Sequence, residues 1–302
     1  MIFSIDDSVM EQGEDVAFVF ATSLQKAAEK WHYVDMSPQM RRWIDNELFE
    51  SEKYLGTLAC EALVKNSELW NPASICKRHQ TTVTVGYGSG MLSVEEMALL
   101  VEEPSVVVLE NGRYDWAVIK RWIKLYRKER GFDTINQQVH RAVTGHLLRE
   151  HHAGGGSGSI TNVMTVLMPI YKGLHALRLT TIFDSDKTSA HDTVDHNQNL
   201  KVFLDENHIG WYELAKREIE NYFDFETYRR AGLLTDNTQT NTMPSEEWDF
   251  HDIGKDKQIK MEKKDVEKLS DALTKEELKK HTVDLSGKDE IQDIILHLAK
   301  YI

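Results

Sequence analysis

From Ser105 onward, short runs of β-branched and apolar residues alternate with longer stretches of helical period, and this rhythm leaves few folds open. Strand-like runs cover Ser105 to Glu110, Val143 to His151, Thr180 to Asp184 and Ile209 to Leu214. Between them, Asp115 to Arg130, Ser159 to Leu174 and Thr193 to Asn207 read as helices, and a further helical start falls at Lys216. Strands separated by helices cannot pair as hairpins. They pair in parallel through crossovers, which predicts an α/β unit with a mainly parallel sheet flanked by helices.

The flanking regions differ. Val16 to Trp31, Pro38 to Phe49 and Glu52 to Asn66 carry apolar residues at three-to-four spacing, so the first hundred residues are expected to be mostly helical. Thr81 to Val85 has strand composition, followed by the turn signal Gly86-Tyr87-Gly88-Ser89-Gly90. Ser93-Val94-Glu95-Glu96 has the form of a capping box and opens a helix ending near Glu103-Pro104. After Phe225 the chain turns polar, with a loop from Leu234 to Pro244 and a charged, mostly helical stretch from Gln258 to Ile302. The expected division is a helical N-terminal region at 1–103 for partner or substrate contact, an α/β domain at 104–260, and a helical C-terminal extension at 261–302.

Composition narrows the function. No apolar run is long enough to span a bilayer, and the N-terminus has no basic segment followed by an apolar core, so no membrane association and a cytoplasmic location are expected. Cys60 and Cys76 fit no metal-ligand spacing and read as free thiols. The net charge of −13 argues against a non-specific nucleic-acid coat, but clustered metal-binding carboxylates would themselves add to that charge.

Acidic residues fall at corresponding places in the α/β unit. Glu110 ends the first strand, Asp184 and Asp186 end a later one, and Glu218 and Glu220 follow the last. Alone, an Asp-x-Asp pair is most often a solvated turn. At the C-terminal edge of a parallel sheet, Glu110 and the aspartate pair should converge, and such a cluster is costly unless a cation or protons neutralise it.

In order and spacing these residues resemble the Toprim fold, shared by topoisomerases, bacterial primases and the OLD (overcoming lysogenization defect) nucleases. The resemblance rests on Glu110, the glycine-rich turn Gly154-Gly155-Gly156-Ser157-Gly158 and Asp184-Ser185-Asp186. Arg217-Glu218-Ile219-Glu220-Asn221-Tyr222 and Gly254-Lys255 are similar to the OLD branch. The family's Glu-Gly-x-x-Asp start has one extra residue here, Glu110-Asn111-Gly112-Arg113-Tyr114-Asp115, which puts the role of Asp115 in doubt. The ATPase usual in OLD proteins has no counterpart, since the glycine-rich turn lacks a P-loop lysine. The resemblance therefore implies a stand-alone Toprim effector of a phage-defence system, controlled by a separate ABC-type ATPase and compatible with a homo-oligomer.

The implied chemistry is phosphodiester hydrolysis with Mg²⁺ or Mn²⁺, two ions being usual. Asp184 and Asp186 would bind one ion and Glu220 a second, while Glu110 would either ligate metal or take a proton from the attacking water. Lys255 would neutralise charge on the phosphate. On a helix Glu218 and Glu220 would face apart, leaving one of them in solvent; Lys257 rivals Lys255. No tyrosine stands out as a nucleophile. The substrate is DNA or tRNA, and the alternative is a catalytically silent or regulatory Toprim module that acts by protein binding. A zinc site from His151-His152 or from His191 and His196 lacks a second ligand pair. Trp31, Trp43 and Trp70 suit packing better than base stacking.

Overall fold

A computed structural model of the chain describes residues 1–48, 50, 53–70, 79–235, 243–283 and 287–302. Cys76 and residues 236–242 of the expected loop lie outside the described residues. The fold is α/β, with a three-stranded and a four-stranded sheet, both mainly parallel and flanked by helices. Two compact units divide the chain. One comprises residues 1–105, 137–149 and 298–302, and the other residues 106–136 and 150–297.

The first unit is mostly helical, as its sequence predicts, but it also has a sheet of its own. Its strands are β1 (Ile2–Ile5), β2 (Tyr33–Met36) and β3 (Thr82–Val85), in the order β2-β1-β3 and all parallel. Only β3 is legible in the sequence. β1 and β2 lack the run of β-branched residues and the glycine turn signal that mark β3, and pairing in the sheet holds them. Helices α1 (Glu14–Glu29) and α2 (Lys53–Trp70) pack on one another, and the ring of Phe20 on α1 lies 6.4 Å from that of Trp43 in the helical turn Trp43–Leu48. The Ser93 capping box is present. Its hydroxyl accepts from Glu96 N–H at 3.2 Å and Glu96 Oε2 accepts from Ser93 N–H at 2.8 Å, opening α3 (Val94–Glu102).

The four-stranded sheet, which belongs to the second unit except for Ser105, Leu148 and Arg149, consists of β4 (Ser105–Leu109), β5 (Leu148–His152), β6 (Leu179–Phe183) and β7 (Gly210–Glu213), in the spatial order β5-β4-β6-β7. β4 and β6 are parallel, with Val106 opposite Leu179 and Val108 opposite Thr181; β6 and β7 are parallel too. The crossovers are α4 (Gly112–Tyr126) with α5 (Asp133–Thr144), then α6 (Ser157–Leu167), then α7 (Asp195–Glu206). Strand side chains alternate, so Val106 and Val108 join Ile160, Met164, Leu200 and Leu204 in one buried cluster under α6 and α7. Thr180 faces the other way and bonds His297 Nε2 at 2.6 Å, on the helix Glu290–Ala299. Both faces of the sheet are thereby covered, which is what all-apolar strands such as Ser-Val-Val-Val-Leu require.

Two sequence expectations are corrected. No helix begins at Lys216: Glu218 is extended (φ −137°, ψ 159°) and residues Ile219–Tyr222 form a single 3₁₀ turn. The expected helix from Ser159 to Leu174 stops at Leu167, where Pro169 turns the chain into a 3₁₀ segment, Met168–Tyr171. Residues 261–297 group with the four-stranded unit and 298–302 with the N-terminal one. Among the described residues, no helix is long and apolar enough to cross a membrane.

Candidate functional site

Glu110 follows β4 and Asp184 follows β6, so two neighbouring parallel strands deliver carboxylates to the same sheet edge. The glycine-rich turn closes over the first. Gly155 N–H donates to the Glu110 carbonyl at 3.0 Å and Gly156 N–H to Glu110 Oε2 at 3.1 Å. Gly154, Gly155 and Gly156 all have positive φ (98°, 99° and 78°), a path that side-chain-bearing residues rarely follow. Glu110 is buried, and its second oxygen, Oε1, is buried without a hydrogen-bond partner.

Asp115, left in doubt by the extra residue, belongs here. The helix opens at Gly112, and Asp115 Oδ2 accepts from Asn111 N–H at 2.9 Å, which keeps the carboxylate at the buried N-terminal end of α4. Gly112 is required: a Cβ there would stand 2.8 Å from His152 Cα. The sequence signal was present as a Glu and an Asp bracketing a strand end and the first helical turn.

The Asp184-Ser185-Asp186 turn is held from two sides. Asp184 Oδ1 accepts from Ile219 N–H at 3.0 Å, Ser185 Oγ donates to the Lys216 carbonyl at 2.8 Å, and Asp186 N–H donates to the Arg217 carbonyl at 3.0 Å. On the other side, buried Asn197 donates to the carbonyls of Asp184 (2.9 Å) and Ser185 (3.0 Å). Asp186 is left-handed, with φ +53°, and His196 Nε2 lies 3.0 Å from its Oδ2. Asn197, on the first turn of α7, was not legible as a site residue because nothing local marks its role, and the sequence marks His196 only as half of a zinc pair with His191.

The electrostatics bind these groups into one cluster. Burial, and then the charges of Asp186 and Asp115, push the Glu110 carboxyl up to about 7. Burial, and then Asp115, Glu220, Glu110 and Glu218, hold Asp184 well above the usual carboxylate range. Because residues 218–222 are not an α-helix, the expected divergence of Glu218 and Glu220 does not arise, and both add to the field at Asp184. Glu218 is also tied to Arg217 Nε at 3.0 Å. Lys255 stands apart. Its side chain is 83% exposed and pairs with Asp252 at 2.8 Å, and Asp252 in turn pairs with Arg217 at 3.4 Å. Lys257 is exposed.

The donors are all carboxylate oxygens, the chemistry that Mg²⁺ or Mn²⁺ takes, and the partnerless Glu110 Oε1 fits such an ion. Glu110, Asp184, Asp186 and Glu220 would hold it, with Asp115 beside them. Among the described residues, however, no three His, Cys, Asp or Glu side chains converge into a ready ligand set. No protein-family model, curated protein or solved structure gives a significant match to this chain.

Proposed function

We propose that the chain is a metal-dependent endonuclease of the Toprim type, similar to the OLD branch. In this reading it hydrolyses phosphodiester bonds of DNA or tRNA, serves as a phage-defence effector and is controlled by a separate ABC-type ATPase. The observation that carries the reading is Asp184: a half-buried carboxylate surrounded by Asp115, Glu220, Glu110 and Glu218, whose charge a divalent cation would compensate. When bound, the ion would supply an activated water and a clamp on the phosphoryl oxygens. Glu110 is poised to take a proton near neutral pH, the property a base for that water needs. The 3.0 Å hydrogen bond from Ile219 N–H orients Asp184, and the Asn197 and Arg217 contacts orient the turn that carries Asp186.

The test is cleavage of plasmid DNA and of total tRNA by purified protein with Mg²⁺ or Mn²⁺, alone and with its ATPase partner. The wild type is expected to cut one of them, and the Asp184→Ala, Asp186→Ala variant to lose at least about a hundredfold in rate. Equal cleavage by both proteins would reject the site. A silent, protein-binding module is the second reading, favoured by the ion pairs that already engage Lys255 with Asp252 and Arg217 with Glu218. A wild type that binds its partner but never cuts would decide for that module.

A further inference from the structure

Helix α4, which brings Asp115 to the carboxylate cluster, carries an exposed row of cations on its outer face. Seven Lys and Arg but only two Asp and Glu fall between Arg113 and Arg130, in a chain whose net charge is −13. At 100° per residue, Arg113, Lys120, Lys124 and Arg127 lie within roughly 60° of one another, a single stripe about 21 Å long. The face centred roughly 105° round the helix buries Trp116, Ile119, Trp122, Ile123 and Tyr126, so packing fixes which way the stripe points.

The charges on this stripe are largely uncompensated. Arg113 pairs with Glu267 at 3.0 Å, across from the neighbouring helix at 266–272. Glu129, the one acid at the far end, is already held by Lys275 and Lys279 at 2.7 Å each. Arg121 turns away to the carbonyl of Leu273 at 2.7 Å. Among the described residues, Lys120, Lys124, Arg127, Lys128 and Arg130 make no ion pair, and all five are exposed. Free, aligned cations on an otherwise acidic protein call for an anionic partner that is itself linear.

We infer that this stripe is a track for the phosphate backbone of duplex DNA, leading into the carboxylate site. The inference rests on the nuclease reading and narrows its substrate. Its position supports it: the stripe begins at Arg113, two residues before Asp115. Its chemistry selects the ligand. Single strands are gripped by aromatic stacking, and RNA by stacking on unpaired bases and by polar contacts to the 2′-hydroxyl. Apart from Tyr114, whose ring lies 5.9 Å from the Arg113 guanidinium, this stripe offers only cations and Ala117, which suits contacts to a paired, sequence-independent backbone.

The test measures binding of full-length protein to a fluorescent DNA duplex and to tRNA in EDTA, so that no cleavage occurs. The triple variant Lys120→Gln, Lys124→Gln, Arg127→Gln is compared with a charge-matched control, Arg41→Gln, Arg42→Gln, Lys53→Gln, whose positions are also exposed. Circular dichroism checks that both are folded. The stripe variant is expected to weaken duplex binding by roughly 10- to 30-fold at about 0.1 M salt and to lower the salt slope by about 3, the control changing neither. An unchanged stripe variant, an equal loss in the control, a loss confined to tRNA, or no duplex binding by wild type would each overturn the track. Cleavage by wild type that is lost with Asp184→Ala, Asp186→Ala would leave the nuclease reading standing in each of those cases, so the two failures are distinguishable.

Discussion

Asp186 holds the left-handed conformation that glycine usually supplies, a strained position for a residue with a side chain. Three contacts keep it there: the Arg217 carbonyl on its N–H, His196 on its Oδ2, and the neighbouring Ser185 hydroxyl on the Lys216 carbonyl. Glu110 likewise sits away from its relaxed state, since burial disfavours its charged form. Its ordinary value of 4.5 is raised to about 7, so between those limits the native state keeps a proton that the unfolded chain has released. Its contribution is complete below about 4.5 and is lost as pH rises through about 7, and Asp184, also raised, acts in the same direction. Urea unfolding of the metal-free protein across that window is therefore expected to show stability falling with rising pH. Glu110→Gln should flatten the fall, and added Mg²⁺ should restore stability at the alkaline end in the wild type only. A wild-type profile that rises with pH would contradict the burial of these carboxylates.

At the level of elements, the caps and close approaches decide where each carboxylate ends up. The glycine at the start of α4 is a contact requirement, since its missing Cβ would meet His152 Cβ at 2.7 Å and Cα at 2.8 Å. Gly112→Ala is expected to cost about 1–3 kcal/mol by overpacking, read as a lower midpoint of chemical denaturation. It should also reduce cleavage, because α4 carries Asp115. Local signals of this kind were readable in advance: the Ser93 capping box and the glycine-rich turn both stand where their residues place them. Residues 216–222 were not. Lys216-Arg217-Glu218-Ile219-Glu220 has helix-forming composition, yet buried Lys216 pairs with Asp249, and Arg217 N–H donates to the Asp249 carbonyl at 2.9 Å. Those partners lie more than thirty residues away, and their pull overrides local propensity.

For the whole molecule, the consequence of the two units is that the chain's end completes its beginning. Leu298 and Ala299 are fully buried, and Ile302 offers its carbonyl to Gln80 Nε2 at 3.3 Å, within the unit formed by residues 1–105. Leu298→Ala is expected to destabilise the protein by about 2–5 kcal/mol in equilibrium unfolding, as a buried truncation does. A charged surface tail would lose almost nothing by the same change. The sequence suggests such a tail from the polar run after Gln258, because hydrophobic pattern alone does not say against what a helix packs.

By itself the sequence determined the α/β class, the strands that end in Glu110 and Asp184, and the glycine-rich turn between them. Period and composition are local properties, and parallel pairing follows from strands separated by helices. The tertiary structure decided what composition could not encode: the strands β1 and β2, the recovery of Asp115, the roles of Asn197 and His196, and the shared field of Glu218 and Glu220. Each of these depends on groups brought together from distant parts of the chain, where burial and mutual charge, not sequence spacing, set their chemistry.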